Sequence, residues 1–255
     1  MSDDESIKEA VKSRYAALAQ GKASPCCAQD SCCGEAATDI SIGYTGDELS
    51  RIPREANLGL GCGNPTALAE IRPGEIVVDL GSGAGVDCFL AAQKTGERGY
   101  VIGIDMTEAM LERARENARA GGYTNVEFRP GDIENIPVDS SAIDVVISNC
   151  VINLAPDKEC VFREIYRILR PGGRFCVSDV VAKGTIPAAV RADMEQWAGC
   201  VAGALDKDEY LGIVRRVGFG DVVIKSEVDY DYQKNDAYSL ASITVVARKP
   251  NGGGD

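Results

Sequence analysis

A chain of 255 residues, 45% hydrophobic and 26% charged, has ordinary globular composition and is long enough to bury a sizeable core. Its formal net charge of −12 and pI near 4.6, with basic residues scattered along the chain, argue against a nucleic-acid partner, because neutralising phosphates takes clustered Lys and Arg. No apolar run reaches the roughly 18–20 residues that a membrane span needs, and the acidic start Met1-Ser2-Asp3-Asp4-Glu5-Ser6 lacks the basic front of a secretory signal. The expected setting is the cytoplasm, with neither a membrane nor a nucleic acid as partner.

Two counts narrow the chemistry. The chain has no histidine, which removes the commonest general base and the commonest metal ligand. It has ten cysteines, which in a reducing compartment serve as thiols for metal or redox work rather than as structural disulfides. Sulfur is its main polarizable ligand and nucleophile.

In chain order, Ile7, Val11, Tyr15 and Leu18 stand at helical spacing and predict a short helix over 6–20. A polar stretch over 21–39 follows, holding the doublets Cys26-Cys27 and Cys32-Cys33. Their spacing is not a standard zinc pattern; they read equally as metalloid capture or as incidental thiols on a flexible tail. Asn57-Leu58-Gly59-Leu60-Gly61-Cys62-Gly63-Asn64-Pro65 is too glycine-rich for a stable helix or strand, and predicts a mobile or tightly folded loop that presents sulfur.

From Glu70 strands alternate with helices, the pattern of a parallel sheet with crossover helices. Strands are expected at 75–80, 100–105, 126–128, 143–148 and 174–181. Helices are expected from Val86 with a stop at Gly96, from a Thr107 cap to Ala120, and through Cys160–Leu169 to the Arg170-Pro171-Gly172-Gly173 turn. Further helices are expected at 190–205 and 207–217, final strands at 222–228 and 242–247, and a disordered Gly-rich tail at 251–255. The expected division is an extension over 1–69, a cofactor-binding core over 70–182, and an acceptor-binding segment with the final strands over 183–250.

The first strand runs into Asp79-Leu80-Gly81-Ser82-Gly83-Ala84-Gly85 and then into a helix. Glycines there allow a sharp turn and close approach of a ligand to the main chain; read alone, the loop is also compatible with a tight turn and no ligand. Asp105 ends the second strand, where a carboxylate can accept from both hydroxyls of a ribose. Asp132 follows the third strand, placed to accept from an adenine amino group while Ile133 packs on the ring. A solvated acid is the plainer alternative at Asp105.

The run from Asp79 to Gly173 resembles the class I S-adenosylmethionine (SAM)-dependent methyltransferases, over about residues 70–182. The resemblance implies an α/β, Rossmann-like, doubly wound sheet of seven strands, mostly parallel with the last antiparallel. It assigns SAM contacts to Asp79, Gly81, Ser82, Gly83, Gly85, Asp105, Met106, Asp132, Ile133 and Asn149. Tyr15 and Tyr44 can cover the cofactor or simply pack.

Where nitrogen methyltransferases of this fold often carry an Asn/Asp-Pro-Pro-aromatic segment, this chain has Ser148-Asn149-Cys150-Val151. That segment, Gly199-Cys200-Val201-Ala202-Gly203-Ala204-Leu205 and the Cys62 loop together resemble the arsenite methyltransferase family. The resemblance implies that Cys150 and Cys200 bind As(III), that Cys62 takes part in catalysis through a redox cycle and is a possible third ligand, and that an external thiol reductant of thioredoxin or glutathione type regenerates the enzyme. It also implies As(III) or its thiol conjugates as acceptor. The family's larger members carry a further C-terminal domain, from which this chain departs. Trivalent arsenic is soft and thiophilic and keeps a lone pair, so no histidine base is required. Cys88, Cys160 and Cys176 lie in core elements and read as packing. Two other functions stay open: methylation of a small organic acceptor, which needs a carboxylate or tyrosine base near Asn149, and a thiol-rich As(III)-binding protein without turnover.

Overall fold

The computed structural model describes residues 3–23, 43–230 and 237–252. Within them one seven-stranded sheet is built from β1 (Ile76–Leu80), β2 (Tyr100–Asp105), β3 (Val126–Pro130), β4 (Ile143–Asn149), β5 (Leu169–Gly184), β6 (Gly220–Tyr230) and β7 (Tyr238–Arg248), in the spatial order β3-β2-β1-β4-β5-β7-β6. The pairings among β1 to β5 are parallel, and β7 runs antiparallel to both its neighbours. This is the expected doubly wound sheet with its reversed last strand. Among the described residues no helix is long and apolar enough to cross a membrane.

Helices cover both faces, so the central strands read as nearly continuous apolar runs. Along β1, Val77 enters one layer while Val78 and Leu80 enter the other, the two-residue period of a pleated strand. The first layer is closed by α4 (Val86–Thr95) and α5 (Glu108–Ala120), through Phe89, Leu111 and Ala114. The second is closed by α6 (Lys158–Ile168) and α9 (Lys207–Val217), through Phe162, Ile165, Tyr210 and Val214. The N-terminal helix α1 (Asp3–Ala19) buries Ile7 and Val11 against Leu154 and Ala198.

Several expectations change in detail. The single helix expected over 190–205 is two short ones, α7 (Ala188–Arg191) and α8 (Met194–Ala198), followed by a turn. Pro187 and Asp193 start the two pieces, with the Asp193 carboxylate accepting from Glu195 and Gln196 N–H, and Gly199 ends the second. Pro171-Gly172-Gly173 does not end before the strand but lies within β5, whose register against β4 is irregular between Ile143 and Val145. Two helices went unread: α2 (Gly46–Ser50), held by a Thr45/Glu48 capping box, and α3 (Pro65–Leu68), capped by Asn64. Thr107 stands at the N-cap of α5, but its side chain makes no cap hydrogen bond. Cys88 and Cys176 are core residues as expected, whereas Cys160 is half-buried on α6 with its thiol directed to the Glu134 carbonyl. Cys26, Cys27, Cys32, Cys33 and residues 253–255 lie outside the described residues.

The strand order reverses direction between β1 and β4, and their C-terminal ends are level, with Leu80 paired to both Ile104 and Ser148. Such a switch point opens a crevice beyond the strand ends. The glycine loop after β1 and the cysteine after β4 face each other there.

Candidate active site

Asp105 ends β2 and its carboxylate bridges two loops, accepting from Gly83 N–H at 2.9 Å and Thr107 N–H at 2.8 Å. Burial is the main cause that raises its pKa, opposed by those hydrogen bonds. A Cβ on Gly83 would meet nothing within 4 Å, while one on Gly81 would lie 2.3 Å from the Val151 side chain. The loop thus packs tightly on the β4 side and stays open at its tip. Gly85 N–H closes it onto the Ser82 carbonyl at 2.9 Å and begins α4.

Three buried carboxylate and hydroxyl groups surround this loop. Ser82 Oγ and Asp87 Oδ1 are buried without a hydrogen-bond partner, and orphaned polar atoms of this kind are rare enough to point to a ligand. Asp79 is buried with its carboxylate accepting from the Cys88 thiol at 3.2 Å; burial and then the Asp87 charge hold its pKa well above normal. Asp87, pushed up to about 6 mainly by burial, is a residue the sequence reading missed. Its only signal was an acid on the first turn of the helix after the glycine loop. An open glycine tip, unpartnered oxygens and acids around one cleft fit a ligand with hydroxyls and positive charge, as SAM is.

Other expected cofactor residues are placed less simply. Asp132 and Glu134 both take the Lys8 ammonium from α1, the first at 2.6 Å, and Asp132 Oδ1 also accepts from Glu134 N–H. Ile133 packs on the core layer under α6. Met106 packs against the apolar cluster of Ile7, Val11, Leu154 and Ala198, on which Tyr15, Trp197 and Cys200 also pack. Asn149 has its side-chain amide engaged by the protein: Oδ1 accepts from Cys62 N–H at 2.9 Å, and Nδ2 donates to Tyr44 Oη and the Gly63 carbonyl, each at 2.8 Å. That amide staples the Cys62 loop to the end of β4, rather than standing free for a cofactor.

The three thiols from distant parts of the chain converge. Cys62, Cys150 and Cys200 belong to one cluster at the end of β5 and β7. Cys150 and Cys200 sulfurs are 3.4 Å apart, too far for a disulfide bond of about 2.05 Å but a separation that two thiolates on one pyramidal metalloid can take. Both residues have left-handed backbones, with φ of 61° and 64°, an uphill conformation for a side-chain-bearing residue that concentrates at functional sites. Hydrogen bonds with the Cys200 and Cys62 thiols, then burial, hold the Cys150 pKa well above normal. Among the described residues no three His, Cys, Asp or Glu side chains form a set able to hold a metal ion. The arrangement is a close pair with a third sulfur beside it, not a closed cage.

The Cys62 loop is tightly folded, which settles that alternative. Ser242 Oγ donates to its carbonyl at 2.5 Å, and a Cβ on Gly63 would lie 2.5 Å from Ser178 Oγ. Tyr44 is part of this scaffold rather than a cover: its hydroxyl donates to Asp87 Oδ2 at 2.6 Å. Tyr15, on α1, packs against the cluster that also takes Cys200, with burial and then the Cys200 and Cys150 thiols raising its pKa well above normal. Two shallow surface clefts, one lined by Ile52 and Tyr123 and one by Gln20 and Arg113, lie away from the thiols and carry none of these groups.

A sheet of this order with a glycine loop braced by an acid at its switch point defines a SAM-dependent methyltransferase. Residues 71–218 match the family model described as a methyltransferase domain. Across 97% of its length the chain is 45% identical to the arsenite methyltransferase of Halobacterium salinarum, covering 68% of that protein. It is 39% identical to the human arsenite methyltransferase over 56% of this chain and 40% of that one. The crystal structure of an arsenic(III) SAM methyltransferase from Chlamydomonas reinhardtii superposes with a TM-score of 0.69 at 34% identity, covering 88% of this chain and 77% of that one. The chain belongs to the arsenite methyltransferase family.

Proposed function

We propose that this chain transfers a methyl group from SAM to trivalent arsenic held by the Cys150 and Cys200 thiolates. The observation that carries the reading is the 3.4 Å sulfur pair at the end of β4, facing the glycine loop across the switch point. SAM supplies an electrophilic methyl carbon on a sulfonium. Asp105, Asp79, Asp87, Ser82 and the glycine loop hold it, with Met106, Asp132 and Ile133 on the adenosine side. The chain's work is then to orient: two thiolates displace oxygen ligands from As(III) and fix its lone pair toward the methyl carbon. Positioning of this kind contributes several kcal/mol in favourable cases.

Methyl transfer leaves arsenic formally pentavalent. Cys62 loses its proton and attacks the arsenic-bound sulfur of Cys150 or Cys200; as the S–S bond forms the As–S bond breaks, and its electron pair stays on arsenic and returns it to the trivalent state. An external dithiol or glutathione-type reductant then reopens the disulfide by exchange. The division of labour follows the sequence boundaries: residues 70–182 hold the cofactor, and 183–250 supply Cys200 and close the sheet. A reducing cytoplasm suits such a thiol site.

Methylation of an organic acceptor would need a base near Asn149, and Tyr44 and Asp87 do reach that residue. Tyr44 donates its proton to Asp87 and is held well above its ordinary pKa by burial and by that carboxylate, so it is a poor base at neutral pH. The thiol pair also stays unexplained on that reading.

Incubating the protein with arsenite, SAM and a dithiol and separating the arsenic species tests the proposal. Methylated arsenic is expected from the wild type and not from Cys150→Ser or Cys200→Ser. Both variants should keep affinity for S-adenosylhomocysteine within about twofold. Cys62→Ser should turn over only with a strong added reductant. SAM binding without any methylated arsenic in the wild type would remove the reading.

A further inference from the structure

Beneath the thiol pair lies a set of buried groups that the reaction above does not use. Asp179, on β5, has no solvent exposure. Its Oδ1 accepts from Val180 N–H at 3.0 Å, its Oδ2 from the Tyr210 hydroxyl at 3.1 Å, and its carboxylate also takes the Asn153 N–H. Lys158, the first residue of α6, is 5% exposed. Its ammonium donates to the Ala155 carbonyl at 2.9 Å and lies 5.3 Å from the centre of the Trp197 ring, a cation–π distance. Burial pushes Asp179 up to about 7 and Lys158 down to about 8, and the attraction between them opposes both shifts. Charges this far from water are costly unless their partners are well placed.

Each of these charges leads to Cys200. Asp179 holds the backbone of Asn153, whose Nδ2 donates to the Cys200 carbonyl at 2.9 Å. Lys158 holds the ring of Trp197, whose carbonyl accepts the Cys200 N–H at 3.0 Å; the indole N–H is itself tied to the Arg191 carbonyl at 2.8 Å. The Asn153 segment also presses on the turn, since a Cβ on Gly203 would lie 2.0 Å from the Asn153 carbonyl oxygen. Cys200 is left-handed at φ 64°, so its conformation must be sustained from outside, and the two hydrogen bonds of its own peptide groups run to these two arms.

We propose that Asp179 and Lys158 are positioning residues: a buried pair of opposite charges that fixes Cys200 through Asn153 and Trp197, and so sets its sulfur at bonding distance for an arsenic shared with Cys150. The inference rests on the arsenite reading above. It concerns the geometry of the acceptor site and not the cofactor.

The test uses the full chain. Inorganic arsenite is titrated in and followed by the fluorescence of Trp197, the single tryptophan, while S-adenosylhomocysteine binding is measured by calorimetry. In Asp179→Asn and Lys158→Met the arsenite Kd should rise about tenfold or more, with S-adenosylhomocysteine affinity within about twofold of wild type. Lys158→Arg, which keeps the charge over the ring, should restore most of the arsenite affinity. Asn153→Ala cuts the same link without touching either charge, and should weaken arsenite binding alike if Asp179→Asn does not fold. Unchanged arsenite affinity in folded variants overturns the positioning role, and so does a parallel loss of both ligands, which marks general destabilisation. A wild type that binds no arsenite removes the underlying reading and this inference with it, and no variant is needed to see that.

Discussion

Asp87 shows how one side chain can join two sites. Its Oδ2 takes the Tyr44 hydroxyl, Tyr44 and Asn149 hold the Cys62 loop, and its free Oδ1 lies by the glycine loop. Because burial raises its pKa to about 6 from the ordinary carboxylate value of 3.8, the folded state binds a proton that the unfolded chain has released. Stability contributed by this group is therefore present at low pH and falls as pH rises between those two values. Asp87→Asn removes the linkage. The difference in unfolding free energy should move in favour of the variant by on the order of 2–3 kcal/mol from pH 4 to 6.5, then stay level. Urea unfolding at several pH values measures it, and a difference that stays flat would show that Asp87 ionises as an exposed acid does.

At the scale of elements, the three converging sulfurs are placed by turns rather than by helices or strands. Cys150 leaves β4 in a left-handed step with its N–H on the Ser178 carbonyl at 2.8 Å, and Cys200 follows α8 in another. The Cys62 loop lies on β5 and β7 through a contact that only a glycine allows, at Gly63 over Ser178. Gly63→Ala forces these apart and should cost about 1–3 kcal/mol. It should also move Cys62 away from Cys150, so that arsenite-dependent turnover becomes dependent on added strong reductant while S-adenosylhomocysteine binding persists. Denaturant unfolding and arsenic speciation read the two effects separately.

Across the whole molecule, α1 links the turn after β3 to the segment that carries Cys200. Lys8 pairs with Asp132 and Glu134 after β3, and Val11 and Tyr15 meet Ala198, Trp197 and Cys200. The ion pairs are half-exposed and contribute little, on the order of 1 kcal/mol or less, so the apolar contact holds the helix. Val11→Asp places a charge at a 2% exposed position and should undock α1, shifting the Trp197 emission to the red and weakening both arsenite and S-adenosylhomocysteine by about tenfold. Unaltered emission and affinities would mean that the helix is an ornament of the fold.

The sequence by itself determined the sheet and most of its helices, because apolar periodicity and glycine or proline punctuation are local signals. It also singled out Cys62, Cys150 and Cys200, since their flanking residues form specific runs. It could not say that the helix expected over 190–205 breaks into two pieces with Cys200 left-handed after the second, nor that the Asn149 amide holds the Cys62 loop. Nor could it show Asp87, Asp179 and Lys158, each an unremarkable charge in an ordinary helix or strand. Those properties depend on burial and on partners as far as 105 residues away, as between Asn149 and Tyr44. The energy of a buried charge or a left-handed cysteine is set by what surrounds it in space, and only the tertiary structure decides that.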